Sequence, residues 1–442
     1  MNIKKLRLIN FKNIEDSTIN FKNNISGIYG PNGMGKTAIL EAILLIKEYL
    51  KLPENTEENL LRRSRMIKFL ESLMMKNKES MSLEITLLNN DIEYIIYLEF
   101  KRDKKYSFIC SKEELYSEKL TRGTKAIKIL EVDNPTGVIP NIIHGNTSLI
   151  NKNMMNLFSN ITVLFIENSN NLYSHLISTP NYFETINQNI HDILKVVTCI
   201  LNKVIIITLK DQLHCSETIE VPIQCYDEKN DSIKTIIFDD INNIYSTEDA
   251  ELLKNTMKEM EIIYSVIVPK AKIIFKSTER DINPETNIAS KMAVKIFIEK
   301  DGNLLSITNE STGIIKLISL ISALTYCIKN EKATVLIDEL DVHIFEYLLS
   351  IILITIEKFS KGQLIFTAHN LLPMESLDKN SIIIAATNGE KKVYTNLKIT
   401  SQTTNMRKKY LKSQFMWSEE NIDPLLINVP ALELFVKRLV RK

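Results

Sequence analysis

The 442-residue sequence is short of cysteine: Cys110, Cys199, Cys215, Cys225 and Cys327 are odd in number and scattered, and no Cys-x-x-Cys pair occurs. This excludes an even disulfide framework and points to a reducing cytoplasm. His214, Cys215 and Cys225 lie close together, but their spacing fits no structural zinc pattern and a fourth ligand is lacking. An excess of one charge is also missing, with 55 basic residues against 54 acidic ones. Net charge therefore selects no partner, although a local basic patch is compatible with a neutral total. The opening Met1-Asn2-Ile3-Lys4-Lys5 reaches the polar Asn10-Phe11-Lys12-Asn13 without the apolar core of a secretory signal. The most apolar helix-like stretches, Ile39 to Leu50 and Tyr347 to Ile356, are too short or too interrupted by charge to cross a bilayer. The expectation is a cytoplasmic protein with no membrane partner. No heptad run is long enough for a coiled-coil arm, and no internal repeat is evident.

What is there suits ordinary globular units. The hydrophobic fraction is 44% and the charged fraction 25%, and the length predicts two or three packed units with sizeable cores. Residues 3–11 alternate basic and apolar and, with 16–23, predict a hairpin. Ile25 to Tyr29 is a short apolar run ending at Gly30, and from Thr37 the residues Ile39, Ile43, Ile46 and Leu50 fall at helical spacing. Further on, the pattern predicts a helix over Glu54 to Lys76 and strands over 82–100 and 104–110 around Asn89-Asn90-Asp91. It then predicts a helix over Asn181 to Lys203, strands within 204–240 and a helix over Thr247 to Tyr264. Val294 to Phe297 and Leu304 to Ile307 read as a hairpin across Asp301-Gly302. A helix over Ile314 to Cys327, a buried strand Val335 to Ile337, a helix over Phe345 to Phe359 and a strand Gln363 to Thr367 complete a β-α-β-α-β run. Such a run predicts a parallel sheet with helices on its faces.

Two segments carry chemistry. In Gly30-Pro31-Asn32-Gly33-Met34-Gly35-Lys36-Thr37 the glycines let consecutive N–H groups turn toward phosphate oxygens, and the following helix N-terminus adds its positive end. Lys36 suits the β- and γ-phosphates, and the Thr37 hydroxyl suits Mg²⁺. The strand before this loop and the helix after it are the context that a P-loop requires. Gly30, Asn32, Gly33, Gly35, Lys36, Thr37 and Ala38 are the candidate ATP contacts. Asp338-Glu339 follows an apolar strand, so both carboxylates leave at the C-terminal edge of the sheet, where open α/β folds bind ligands. Asp338 is the candidate Mg²⁺ ligand with Thr37. Glu339 is the candidate general base for the water that attacks the γ-phosphate.

The ordered set Leu8-Ile9-Asn10-Phe11-Lys12-Asn13, the P-loop followed by Leu40-Glu41-Ala42, Ile337-Asp338-Glu339-Leu340-Asp341 and Phe366-Thr367-Ala368-His369-Asn370 resembles the ABC-type ATPase heads of the SMC, RecF and OLD/Abi-like families. It is most similar to AAA-family ATPases found among bacterial phage-defence and abortive-infection proteins. The resemblance covers roughly residues 1–48 and 290–390. It implies that Ser311 and Gly313, in Glu310-Ser311-Thr312-Gly313, are a signature loop touching ATP held by the opposite protomer. It also implies that Asp341 belongs to a D-loop, that His369 is a switch histidine sensing the γ-phosphate, and that Lys12 lies near the nucleotide. Thr312 stands where ABC transporters have a glycine, which moves the chain away from transporters. No glutamine in 49–290 can be assigned to a Q-loop, and His343 is left without a role.

The implied fold is α/β: a P-loop NTPase with an ABC-type head, a mixed and mainly parallel sheet with helices on both faces, and a large α+β insertion. The expected division is a discontinuous head at 1–48 and 291–400, an insertion at 49–290 and a C-terminal tail at 401–442, expected to be helical and amphipathic over Ala431 to Lys442. The implied function is an ATP-hydrolysing switch. ATP and Mg²⁺ sit between two heads of a homodimer or higher homo-oligomer, which serves as sensor or regulator of an anti-phage system with a separate nuclease or toxin effector. Two alternatives stand beside it, a RecF/SMC-like DNA repair clamp and a non-enzymatic ATP-dependent scaffold. Nucleic acid is left open as a partner. The basic clusters Arg62-Arg63-Ser64-Arg65, Arg407-Lys408-Lys409, and Lys437-Arg438 with Arg441-Lys442 read first as solvated helix faces. Asp239-Asp240 reads as a turn rather than a nuclease site.

Overall fold

The computed structural model describes residues 1–50, 56–104, 107–120, 126–133, 141–144, 196, 198–209, 211–212, 220–282, 289–389, 391–396 and 405–415. His214, Cys215, most of the helix expected over 181–203 and the expected helix over 431–442 lie outside them.

In chain order the elements begin with β1 (Asn2–Phe11), β2 (Ile14–Asn20), β3 (Ile25–Tyr29), α1 (Lys36–Leu50), α2 (Thr56–Leu73), β4 (Ser80–Asn89), β5 (Ile92–Asp103), β6 (Ser107–Lys119), β7 (Ile127–Asp133) and β8 (Asn141–His144). Next come β9 (Val204–Ile207), β10 (Val221–Asp227), β11 (Ser232–Phe238), β12 (Ile244–Ser246), α3 (Thr247–Ile267), β13 (Ala271–Ile282), β14 (Ala289–Lys300) and β15 (Asn303–Ser306). The last group is α4 (Thr312–Lys329), β16 (Thr334–Ile337), α5 (Glu346–Phe359), β17 (Gln363–Ala368), β18 (Ile382–Asn388), β19 (Lys391–Thr395) and α6 (Met406–Phe415).

The centre is a six-stranded sheet in the order β19-β18-β3-β17-β16-β9, parallel except for β19. Every residue of β3, β16 and β17 is buried, because a parallel sheet covered on both faces leaves no side for polar alternation. The two faces take alternate residues. Ile28, Leu336 and Ile365 pack with α1 and the N-terminal strands, while Tyr29, Val335, Ile337, Leu364 and Phe366 pack with α4 and α5. Tyr29 and Phe366 meet edge to face with centroids 6.0 Å apart. α4 is long and apolar enough to cross a membrane by length and composition, more so than either stretch singled out from the sequence, and 67% of it is buried inside the fold.

A second sheet, antiparallel throughout, runs β2-β1-β4-β5-β6-β7-β8. Buried Gln363, at the head of β17, ties it to the centre: Ile3 N donates to its Oε1 (2.8 Å), and its Nε2 donates to Ile3 O and Lys22 O (both 2.7 Å). The described residues of 49–290 hold both helices and strands, and some of those strands join the two sheets. β4 pairs with β1, and β9 pairs with β16.

One expectation is corrected. The hairpin across Asp301-Gly302 forms, with Lys300 opposite Asn303, but β14 also pairs with β12 and β13, in a separate four-stranded antiparallel sheet. Only β16-α5-β17 of the expected β-α-β-α-β run is a parallel unit. The outward face of β14 is polar, with Lys291 and Lys295 exposed, so the strand cannot be covered on both faces as a central parallel strand must be. In the tail, α6 supplies a helix over 406–415.

Candidate functional site

The C-terminal ends of β3 and β16 bring the P-loop and the Asp338-Glu339 pair together. Gly30 follows β3 at φ +157°, and a Cβ there would lie 2.3 Å from Ala385 O on β18, so only glycine fits between the strands. Gly35 has φ +89°, and a Cβ would lie 2.8 Å from the Tyr394 hydroxyl. That hydroxyl donates to Gly35 O (2.8 Å), and Asn13 Nδ2 donates to Gly33 O (2.9 Å). β19 and the β1–β2 turn thus brace the loop from outside.

Lys36, buried at the start of α1, donates its ammonium to Gly30 O (2.7 Å) and Pro31 O (3.1 Å). Burial lowers its pKa, opposed by Glu339, Asp338 and Asp341. Thr37 Oγ1 lies 3.4 Å from Asp338 Oδ1, and Thr367 Oγ1 donates to the same oxygen at 2.6 Å. Thr367 Oγ1 also accepts from Glu339 N (2.8 Å), fixing the turn out of β16. Glu339 has φ +45°, a left-handed conformation that is uncommon for a glutamate. Its Oε1 lies 3.9 Å from His369 Nε2, with the two side chains 27% and 41% exposed. Asp341 Oδ2 accepts from His369 N (3.0 Å) and Asn370 N (2.7 Å), joining the loop after β16 to the end of β17.

The candidates gather unequally. Gly30, Asn32, Gly33, Gly35, Lys36, Thr37 and Ala38 form one loop and helix start, with Asp338, Glu339, Asp341 and His369 beside it. Lys12 forms an ion pair with Glu41 on α1, and the neighbouring Asn13 is the residue that touches the P-loop. Ser311 is the N-cap of α4, accepting from Ile314 N (3.4 Å). Ser311 and Thr312 are exposed, and Gly313 lies against His343, whose carbonyl a Cβ would approach to 3.2 Å. His343 acquires a local place through Nδ1, 3.4 Å from Thr312 Oγ1.

Several participants carry no sequence signal. Gln212 follows β9, donates Nε2 to Asp338 O (2.6 Å), and has a buried Oε1 without a hydrogen-bond partner. Lys392 on β19 places its ammonium 3.1 Å from Met34 Sδ of the P-loop.

Residues 1–371 match the AAA ATPase domain family, which covers well over half of the chain. The chain belongs to this family. As a family member with this motif set it binds and hydrolyses ATP. It is similar to the DNA double-strand break repair Rad50 ATPase of Pyrococcus abyssi, with 29% identity over 106 residues, 24% of this chain and 11% of that protein. It is also similar to the DNA replication and repair protein RecF of Francisella tularensis subsp. mediasiatica, with 52% identity over 46 residues, 10% of this chain and 13% of that one. The chain thus spans only a small part of the length of these curated relatives. Among solved structures it resembles an SMC head bound to the C-winged helix domain of ScpA, with 16% identity, 90% of this chain and 99% of that chain covered, and a TM-score of 0.49. An SMC head domain from Thermotoga maritima matches at 13% identity, 90% and 100% coverage, and a TM-score of 0.42.

The donor set fits Mg²⁺ in its chemistry. The Thr37 hydroxyl and the Asp338 carboxylate are hard oxygen ligands near one another. No cluster of three or more His, Cys, Asp or Glu side chains able to hold a metal occurs among the described residues. Mg²⁺ is commonly held by one or two protein oxygens together with water and substrate phosphates.

Proposed function

We propose that this family member is an ATP-driven switch in which two copies close on nucleotide and hydrolysis reopens them. In this reading the P-loop N–H groups and Lys36 hold the phosphates, and Thr37 and Asp338 hold Mg²⁺, which when bound neutralises phosphate charge. Glu339 accepts the proton of the attacking water, and His369 lies beside it toward the γ-phosphate. Ser311 and Gly313 serve the nucleotide of the second copy. The carrying observation is the convergence of Lys36, Thr37, Asp338 and Glu339 at one sheet edge, while Ser311 at the N-terminus of α4 stays exposed. Cysteine usage supports a cytoplasmic setting. The motif set, with Thr312 in the signature loop, supports the finer reading of a regulator in anti-phage defence acting with a separate nuclease or toxin.

Glu339→Gln should retain ATP binding and lose turnover, so that an ATP-bound dimer accumulates in sedimentation velocity. The same monomer with and without ATP would reject closure between two copies, and undiminished hydrolysis would reject Glu339 as the base.

A second reading, a head that grips duplex DNA, is favoured by the Rad50 and RecF matches and by one face of the β13–β14 hairpin. There Lys276 lies opposite Lys295 and Arg280 opposite Lys291, all four exposed. Like charges in direct register are unfavourable, which suits a surface that meets phosphates. Salt-dependent binding to duplex DNA, stimulated by ATP, would support it.

A further inference from the structure

We infer that Lys316 is a positioning residue: from α4 its ammonium clamps both ends of the turn after β16 and thereby aims the Glu339 carboxylate. This rests on the proposed reading of Glu339 as the base. It adds a residue to which neither the motif set nor the comparisons give a role.

The turn that carries Glu339 is unusual in its backbone. Glu339 and His343 both have positive φ, +45° and +64°, conformations that L side chains adopt at a steric cost. Surrounding contacts must therefore over-determine them. Thr367 supplies one anchor, accepting from Glu339 N at 2.8 Å through its hydroxyl and from Leu340 N at 3.0 Å through its carbonyl. The other anchor is Lys316, one turn into α4, whose Nζ donates to Glu339 O (3.3 Å) and to Val342 O. These carbonyls bracket the turn, which closes on itself through Val342 N to Glu339 O (3.2 Å). A single ammonium therefore ties its first and last residues together.

The ammonium is half-buried, and that burial pushes its pKa down to about 8 against the pull of Asp341 and Glu339. Its hydrogen bonds go to two backbone carbonyls, and a charge-assisted donor to such carbonyls restricts their orientation more strongly than a neutral one. Glu339 N is held at Thr367 and Glu339 O at Lys316, so both peptide groups flanking its Cα are fixed, and the side-chain direction follows. Lys316 also belongs to the helix whose cap is Ser311 and whose Gly313 touches His343 O. The exposed start of α4 is thereby linked to the Glu339 turn through Lys316, beside the direct contacts of Thr312 and Gly313 with His343.

Kinetics on the full chain test this. Lys316→Met keeps the aliphatic stem and removes the donors. It should lower kcat at least tenfold while KM for ATP stays within about threefold, the pattern of a lost transition-state interaction. Lys316→Arg, which can still donate to two carbonyls, should recover most of kcat. Added to Glu339→Gln, Lys316→Met should cause no further loss, because it acts only through that carboxylate. An unchanged kcat in Lys316→Met, an equal loss of nucleotide binding, or a further multiplicative loss in the double variant overturns the inference. These outcomes leave the base reading standing if Glu339→Gln alone is inactive.

If Lys316→Met does not fold, the pH profile decides. Lys316 faces Asp341 and Glu339 from the turn, with His343 next to Thr312 and Asp211 across the adjoining cleft. Wild-type kcat should fall as pH rises through the region where the ammonium loses its proton, and Lys316→Arg should lack that limb. Identical profiles overturn the inference.

Discussion

Two sheets in this molecule treat their strands in opposite ways. β3, β16 and β17 are buried on both faces, and their chemistry appears only where they end, at Gly30, Asp338 and His369. The β13–β14 hairpin is buried on one face, through Ile273, Val294, Ile296 and Ile298, and carries Lys272, Lys276, Arg280, Lys291 and Lys295 exposed. The first arrangement makes the strand a rigid post for whatever leaves its C-terminal end. The second makes the strand a surface, whose function is read from side chains along its length. The difference teaches that the nucleotide site depends on backbone geometry held by packing, whereas the hairpin face depends on charge.

Breaking the strand-end chemistry should have the largest effect. Lys36→Ala removes the cation between the P-loop carbonyls and the carboxylates of Asp338 and Glu339. ATP turnover should drop by about 10³-fold, the upper end for a removed transition-state donor, with the circular dichroism spectrum unchanged; turnover within tenfold of wild type would reject the site. The post itself comes next. Phe366→Ala empties the centre of β17 beside Tyr29 and should destabilise the fold by about 3–5 kcal/mol in denaturant titration. A loss below about 1 kcal/mol would mean that the parallel core is not rigidly packed around that ring. The hairpin face should respond least and in the opposite direction. Lys276→Thr relieves the like charge opposite Lys295 but gives up the ammonium's contact with the Phe297 ring, 5.4 Å from its centroid. A gain of a few tenths of a kcal/mol is expected from the cross-strand term, shrinking at high salt. A large loss would show that the pairing is structural.

The P-loop and the Asp338-Glu339 pair were legible because each is contiguous: a strand, a turn whose glycines are required by backbone conformation, and a helix follow in one stretch. The same holds for α4 and α5, whose apolar periodicity reports the face they bury. The hairpin of β14 and β15 was legible as a local turn, but its sheet was not, since alternation specifies a half-buried strand without naming the neighbour it pairs with. Lys12 shows the limit from the other side. Its place in the motif put it near the nucleotide, yet the turn directs its ammonium to Glu41 and presents Asn13 to Gly33.

By itself the sequence determined which residues could cradle phosphate and which carboxylates could leave the end of a buried strand. The tertiary structure alone decided that Gln212 meets the carbonyl of Asp338 from 126 residues away, that Tyr394 braces Gly35 from 359 away, and that Lys316 holds the turn of Glu339. The physical reason is that a lone Gln, Tyr or Lys has no local pattern to mark it. Its role arises only when folding brings its donor within hydrogen-bond distance of a carbonyl that its own segment does not contain.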